Sequence, residues 1–201
     1  MPHTVAAVIP AAGRSFRMGM PKALLDAGGS SFLARVMGSL RHGGAGPLLV
    51  VVADATGPIA EEARRYGGQI VLNPDPSRGP ISSLQSGIGA LPPEVAAILL
   101  CPVDHPLFEP DTVRALIQDF LRTRPSLLVP LFRGRRGHPV LFSRKVFPDL
   151  LEENLPEGAR TVVRRYLRDE LQVPVDDPGV LANIDTPEDY RSHFSRAPRP
   201  G

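Results

Sequence analysis

Hydrophobic positions along the chain are of two alternating kinds. Short unbroken apolar runs occur at Val5–Pro10, Pro47–Ala53, Gln69–Asn73, Ala96–Cys101 and Ser126–Leu131. Runs of that length, bounded by Gly, Pro or polar residues, predict strands buried on both faces. Between them the apolar residues recur at intervals of three and four. Phe32–Leu40 sets Phe32, Leu33, Val36, Met37 and Leu40 on one stripe, and Asp111–Leu121 does so with Val113, Leu116, Ile117 and Phe120 after an acidic cap. Ile59–Tyr66 and Ile81–Leu91, the latter following Gly79–Pro80, complete the helical set. Strand and helix in alternation predict a three-layer, Rossmann-like α/β fold with a mostly parallel central sheet. Past Leu131 the pattern loosens into a basic loop, a strand at Pro139–Phe142, two helices, a late strand at Leu181–Ile184 and a helix after Thr186–Pro187. The reading is a single domain over 1–194, with an insertion in its second half and a loose tail over 195–201.

Charge and composition narrow the function classes. Of 201 residues, 23 are Lys or Arg and 21 are Asp or Glu, a balance that argues against a nucleic-acid coat. The longest apolar runs fall far short of a membrane span, and Met1–Thr4 lacks a basic leader. The single cysteine, Cys101, excludes an internal disulfide and a cysteine metal cluster. A cytoplasmic protein without membrane or nucleic-acid partners is expected.

In open α/β sheets ligands bind beyond the carboxyl ends of the strands. After the first strand comes Ala11-Ala12-Gly13-Arg14-Ser15-Phe16-Arg17-Met18-Gly19-Met20-Pro21-Lys22. Small side chains let backbone N–H groups approach an anion, and cations neutralise a polyphosphate. Neither the Walker loop nor the dinucleotide fingerprint is present. The bland alternative is a glycine turn with solvated cations. The string resembles the Ala-x-Gly-x-Ser-x-Arg-Met-Gly-x-x-Lys signature of the MobA-like nucleotidyltransferases, matching at Gly13, Ser15, Arg17, Met18, Gly19 and Lys22. Pro10, where relatives often carry Leu or Thr, departs from it. The resemblance implies a nucleotidyltransferase fold whose first loop wraps a nucleoside triphosphate. Arg17 and Lys22 would act on the phosphates, while Ala11, Ala12, Gly13, Arg14 and Ser15 would line the nucleotide site.

Two further loops carry carboxylates. Ala96–Cys101 leads into Pro102-Val103-Asp104-His105-Pro106, a turn that suits a Mg²⁺ ligand, since this ion takes one or two carboxylates together with waters and phosphates. By resemblance Asp104 is the primary ligand, and His105 reads as a turn residue. In Asn183-Ile184-Asp185-Thr186-Pro187-Glu188-Asp189, Thr186 and Pro187 are explained as a helix start. Asn183 and Asp185, two apart on one face of the expected strand, are the candidates for the second metal group. The resemblance leaves the choice between them open.

Weaker signals lie at Gly79 and Ser83, on a helix start that the family sets beside the base, and at Arg133-Gly134-Arg135-Arg136-Gly137-His138-Pro139. The latter is similar to the family's acceptor-facing segment, so Arg135, Arg136 and His138 are acceptor candidates. Together these features imply Mg²⁺-dependent transfer of a nucleoside monophosphate to a phosphorylated small molecule. CTP is favoured, because cytidine-using relatives tend to have Ala-Ala-Gly where guanosine-using ones have Ala-Gly-Gly. A molybdopterin-type acceptor and a receiving molybdoenzyme follow from the same resemblance. The rival readings are a sugar-phosphate or other small-phosphate nucleotidyltransferase and a non-catalytic nucleotide-binding cofactor-delivery protein. A glycosyltransferase ranks last, because Val103-Asp104-His105 lacks an Asp-x-Asp pair.

Overall fold

A computed structural model describes residues 4–13 and 20–194. Arg14, Ser15 and Arg17 of the first loop, and the tail over 195–201, lie outside the described residues.

Five apolar runs form the strands expected of them. β1 is Thr4–Pro10, β2 Leu48–Val52, β3 Gln69–Leu72, β4 Val95–Leu100 and β5 Leu127–Phe132. Two shorter strands follow, β6 at Arg135–Arg136 and β7 at Val140–Ser143. β3, β2, β1 and β4 lie side by side in parallel, in that order. β7 then runs antiparallel between β4 and β5. The strand order runs outward from β1 to β2 on one side and to β4 on the other, so a crevice opens at the carboxyl ends of β1 and β4.

The sheet is covered on both faces, which is why its central strands read as continuous apolar runs. Val5, Ala7 and Ile9 of β1 join one core with α1 (Phe32–His42) and α4 (Pro110–Thr123). Ala6 and Val8 join the opposite core with α3 (Pro80–Gly89) and the small helices α5 (Phe147–Leu150) and α6 (Ala159–Arg165). α2 (Pro58–Arg65) packs beside β2 and β3. Gly87 permits the close seat of α3, since a Cβ there would come 2.5 Å from Val8 Cγ1.

The late strand expected at Leu181–Ile184 is not formed. Pro178–Leu181 is a single 3-10 turn, and the eighth strand, β8, lies earlier at Glu170–Pro174, parallel to β5. Pro178 and Gly179 resist extended pairing, whereas the alternation of Glu170, Leu171, Gln172 and Val173 suits an outer strand. Asp177 organises the turn: its carboxylate accepts from Gly179 N at 2.9 Å, from Glu109 N at 2.8 Å and from Thr112 Oγ1 at 2.6 Å. This buried aspartate therefore holds the following segment against the start of α4. The final helix, α7, is Pro187–Phe194.

Candidate active site

Lys22 opens a 3-10 turn, Lys22–Leu24, on the return from the first loop. The chain beyond it is anchored from a distance: Tyr190 of α7 donates its buried hydroxyl to Asp26 O at 2.7 Å and stacks on Phe32. α7 in turn has a reciprocal cap. Asp189 accepts from Asp185 N and Thr186 N at 3.0 and 2.8 Å, and Thr186 Oγ1 accepts from Asp189 N at 3.1 Å. The Thr186 hydroxyl and the two backbone donors hold the Asp189 carboxyl below its ordinary range. Finally, Ile184 N donates to Asp104 O at 2.8 Å, joining this segment to the exit of β4.

These constraints bring three charged groups together. Lys22 Nζ lies 3.4 Å from Asp104 Oδ2 and also pairs with Asp185 Oδ1. Asn183 Nδ2 donates to Asp185 Oδ2 at 3.1 Å, so the two candidates meet although they occupy no strand. Asp104 Oδ1 is buried and has no hydrogen-bond partner among the described residues. Two carboxylates converging on one ammonium, one of them with an unsatisfied buried oxygen, form a donor set that a hard divalent cation fits.

The cluster opens into a cavity of about 1060 Å³, at the upper end of small-molecule sites and roomy enough for two substrates. One wall carries Ala11, Ala12, Gly13 and Lys22 from the first loop and Gly79 and Ser83 from the start of α3. Gly79 has φ +85, and a Cβ there would meet nothing within 4 Å. Ser83 is buried and accepts from Asn73 Nδ2 at 3.0 Å. His105, His138, Val140, Phe142 and residues 155–160 complete the lining. Asp104 and Asn183 also face the cavity.

Arg135 and Arg136 lie elsewhere. They are exposed on β6, after a hairpin turn whose Arg133 and Gly134 both have positive φ. Arg136 pairs with Glu170 at 2.9 Å, and neither arginine lines the cavity.

His105, read from the sequence as a turn residue, also lines the cavity. Its ring packs on that of His138 with centroids 4.4 Å apart. Burial lowers both imidazoles to about 4, with the neighbouring ring a further cause for His138. Both are therefore neutral near pH 7. An unfolded histidine titrates near 6.5, so the unfolded chain binds more protons between pH 6.5 and about 4, and stability falls as pH drops through that window. At pH 5 each ring costs about 1–2 kcal/mol. The melting temperature is expected to fall from pH 7 to pH 5, and to fall less in His138→Gln. Equal pH sensitivity of the two proteins would contradict neutral burial of His138.

Cys101 is fully buried, and burial pushes its thiol well above the ordinary range. It is a core residue rather than a nucleophile.

A family model described as a MobA-like NTP transferase domain matches residues 7–171. The chain belongs to the MobA-like NTP transferase family. It is 30% identical to a molybdenum cofactor guanylyltransferase of Rhizobium meliloti (strain 1021), with 92% of this chain and 88% of that protein covered. It is 27% identical to a molybdenum cofactor cytidylyltransferase of Escherichia coli (strain K12), over 91% and 92%. The fold superposes on Rv0371C of Mycobacterium tuberculosis H37Rv in complex with manganese, with a TM-score of 0.73, 26% identity and coverage of 96% and 100%. The protein is a nucleotidyltransferase of this type, and the manganese complex points to divalent-metal use within the family. No helix among the described residues is long and apolar enough to cross a membrane.

Proposed function

We propose that this nucleotidyltransferase moves CMP from Mg²⁺-bound CTP to the phosphate of a molybdopterin-type cofactor, releasing pyrophosphate. The observation that carries the reading is the convergence of Lys22, Asp104 and Asp185 at one end of a cavity with room for two substrates. An acceptor phosphate oxygen bonds to the α-phosphorus. The bond from that phosphorus to the α,β-bridging oxygen breaks, and pyrophosphate leaves with the electron pair. The acceptor phosphate is already ionised near neutral pH, so no side chain has to take its proton.

Catalysis of this kind is mainly positioning and charge neutralisation. Asp104 and Asp185 would hold the divalent cation, which supplies electrostatic stabilisation at the phosphates. Lys22 would turn from the carboxylates toward the triphosphate, and Arg17 of the first loop would join it on the leaving pyrophosphate. Asn183 orients Asp185 through its amide. CTP is preferred to GTP because the Ala12 side chain, 6% exposed, narrows the space beside the base. A molybdoenzyme that takes up the finished cofactor belongs to the same reading.

Thermal melting with CTP, GTP, ATP and UTP, each with and without Mg²⁺, tests it. Triphosphate at 100 times its Kd adds about 2.7 kcal/mol, which raises Tm by about 5–10 °C for a chain of this size. The expected shift is confined to CTP with Mg²⁺. A shift with another triphosphate alone would overturn the base assignment, and no shift in folded protein would overturn the substrate class. Acceptor screening by pyrophosphate release separates the molybdopterin reading from a sugar-phosphate one, and Mg²⁺-dependent release separates an enzyme from a carrier.

A further inference from the structure

Several described arginines are matched by acidic neighbours, among them Arg35 by Glu109, Arg114 by Asp111, and Arg165 by Asp149 and Glu152. The two arginines that line the cavity, Arg78 and Arg160, are not. Arg78 donates only to the neutral amide of Gln85, at 3.3 Å, and Arg160 has no hydrogen bond or ion pair among the described residues. The nearby Glu157 is taken by Arg164.

The start of α6 lies beside α3, where a Cβ on Gly158 would make ordinary contact with Ile81 at 3.5 Å, and Gly158, Ala159 and Arg160 all line the cavity. The same cavity is lined by apolar Val140, Phe142 and Leu155. It is also lined by His138, whose buried Nδ1 lacks a hydrogen-bond partner among the described residues. One unmatched guanidinium, one unsatisfied imidazole nitrogen and an apolar surface between them describe a receptor for a phosphomonoester carrying a flat, hydrogen-bonding ring.

We infer that Arg160 binds the phosphate of the acceptor, at the open end of a subsite walled by His138, Val140, Phe142 and Leu155. The inference rests on the nucleotidyl-transfer reading above. It moves acceptor recognition from β6 to α6. The guanidinium fork offers two parallel N–H donors to phosphate oxygens, and no bound carboxylate has to be displaced first. Lys22 and Ala11–Gly13, which line the same cavity, remain available to the triphosphate.

The test titrates 6-hydroxymethylpterin monophosphate, and separately the unphosphorylated alcohol, into the full-length protein saturated with Mg²⁺ and a non-hydrolysable CTP analogue. The wild type is expected to bind the phosphorylated pterin at least tenfold more tightly than the alcohol. Arg160→Ala is expected to abolish that difference and to keep the CTP-induced melting shift, while Arg135→Ala/Arg136→Ala leaves both unchanged. Arg160 is exposed, and alanine is a good helix former, so the variant should fold. Loss of the CTP shift in Arg160→Ala would place this arginine on the triphosphate and overturn the inference. So would an unchanged phosphate preference in that variant, or a wild type that binds neither pterin. A wild type without any triphosphate shift would instead overturn the nucleotidyl-transfer reading itself.

Discussion

Asp104→Asn is expected to lower CTP-dependent pyrophosphate release by about 10²–10³-fold, the loss found when one essential charge-stabilising contact is removed from a reacting centre. The substitution preserves shape and changes charge. Asp104 has one oxygen 3.4 Å from Lys22 Nζ, while the other is buried with no hydrogen-bond partner among the described residues and lies 4.0 Å from His105 Nε2. Its backbone carbonyl, which holds Ile184 and hence the Asp185 segment, is untouched by the change. The amide keeps an acceptor for Lys22 and removes a carboxylate that is costly to keep desolvated. Stability should therefore stay within about 1 kcal/mol of the wild type. Steady-state release assays and a melting curve on the same preparation check both halves. A variant that melts normally and still turns over within threefold of the wild type would remove Asp104 from the reaction.

The same residue shows what a sequence can disclose about such a site. Asp104 was legible because it follows an apolar run long enough to be a buried strand, and strand exits are where open α/β sheets bind ligands. The order of the sheet is likewise written in Val5–Pro10 and Ala96–Cys101, whose unbroken apolar character only a doubly covered parallel strand requires. β8 carries only the short polar–apolar alternation of Glu170, Leu171, Gln172 and Val173, a weaker signal than the unbroken apolar runs, while Leu181–Ile184 imitated a strand. There the deciding feature is Asp177, whose three hydrogen bonds are to residues two places away and more than sixty places away. Arg160 was hidden for a related reason. In Gly158-Ala159-Arg160 it looks like any solvated helix start, and the packing of α6 against α3 through Val162 and Ile81 is what brings it to the cavity. His105 and His138 lie 33 positions apart, and their ring contact depends on β7 inserting beside β4. Local chemistry is visible along a chain, whereas convergence depends on long-range pairing that periodicity does not encode.

Lys22→Met should separate the structural work of this lysine from its chemical work. In the structure its ammonium lies between Asp104 and Asp185 and offsets two negative charges that would otherwise repel across a partly buried site. Methionine fills similar space without charge, so the variant is expected to lose about 1–3 kcal/mol in metal-free buffer, less than for a fully buried pair because both carboxylates retain some exposure. Mg²⁺ should then raise Tm more in the variant than in the wild type, since the ion meets two uncompensated carboxylates and displaces no ammonium. Turnover should nevertheless stay at least 10²-fold below wild type at saturating Mg²⁺, because charge developing on the departing pyrophosphate still lacks the lysine. If Lys22 were only a brace for the two aspartates, Mg²⁺ would restore stability and activity together. Melting curves and release rates across one Mg²⁺ titration decide between these outcomes. Recovery of Tm without recovery of rate is the expected result, and it would place the ammonium on the triphosphate during turnover rather than on the carboxylates where it rests.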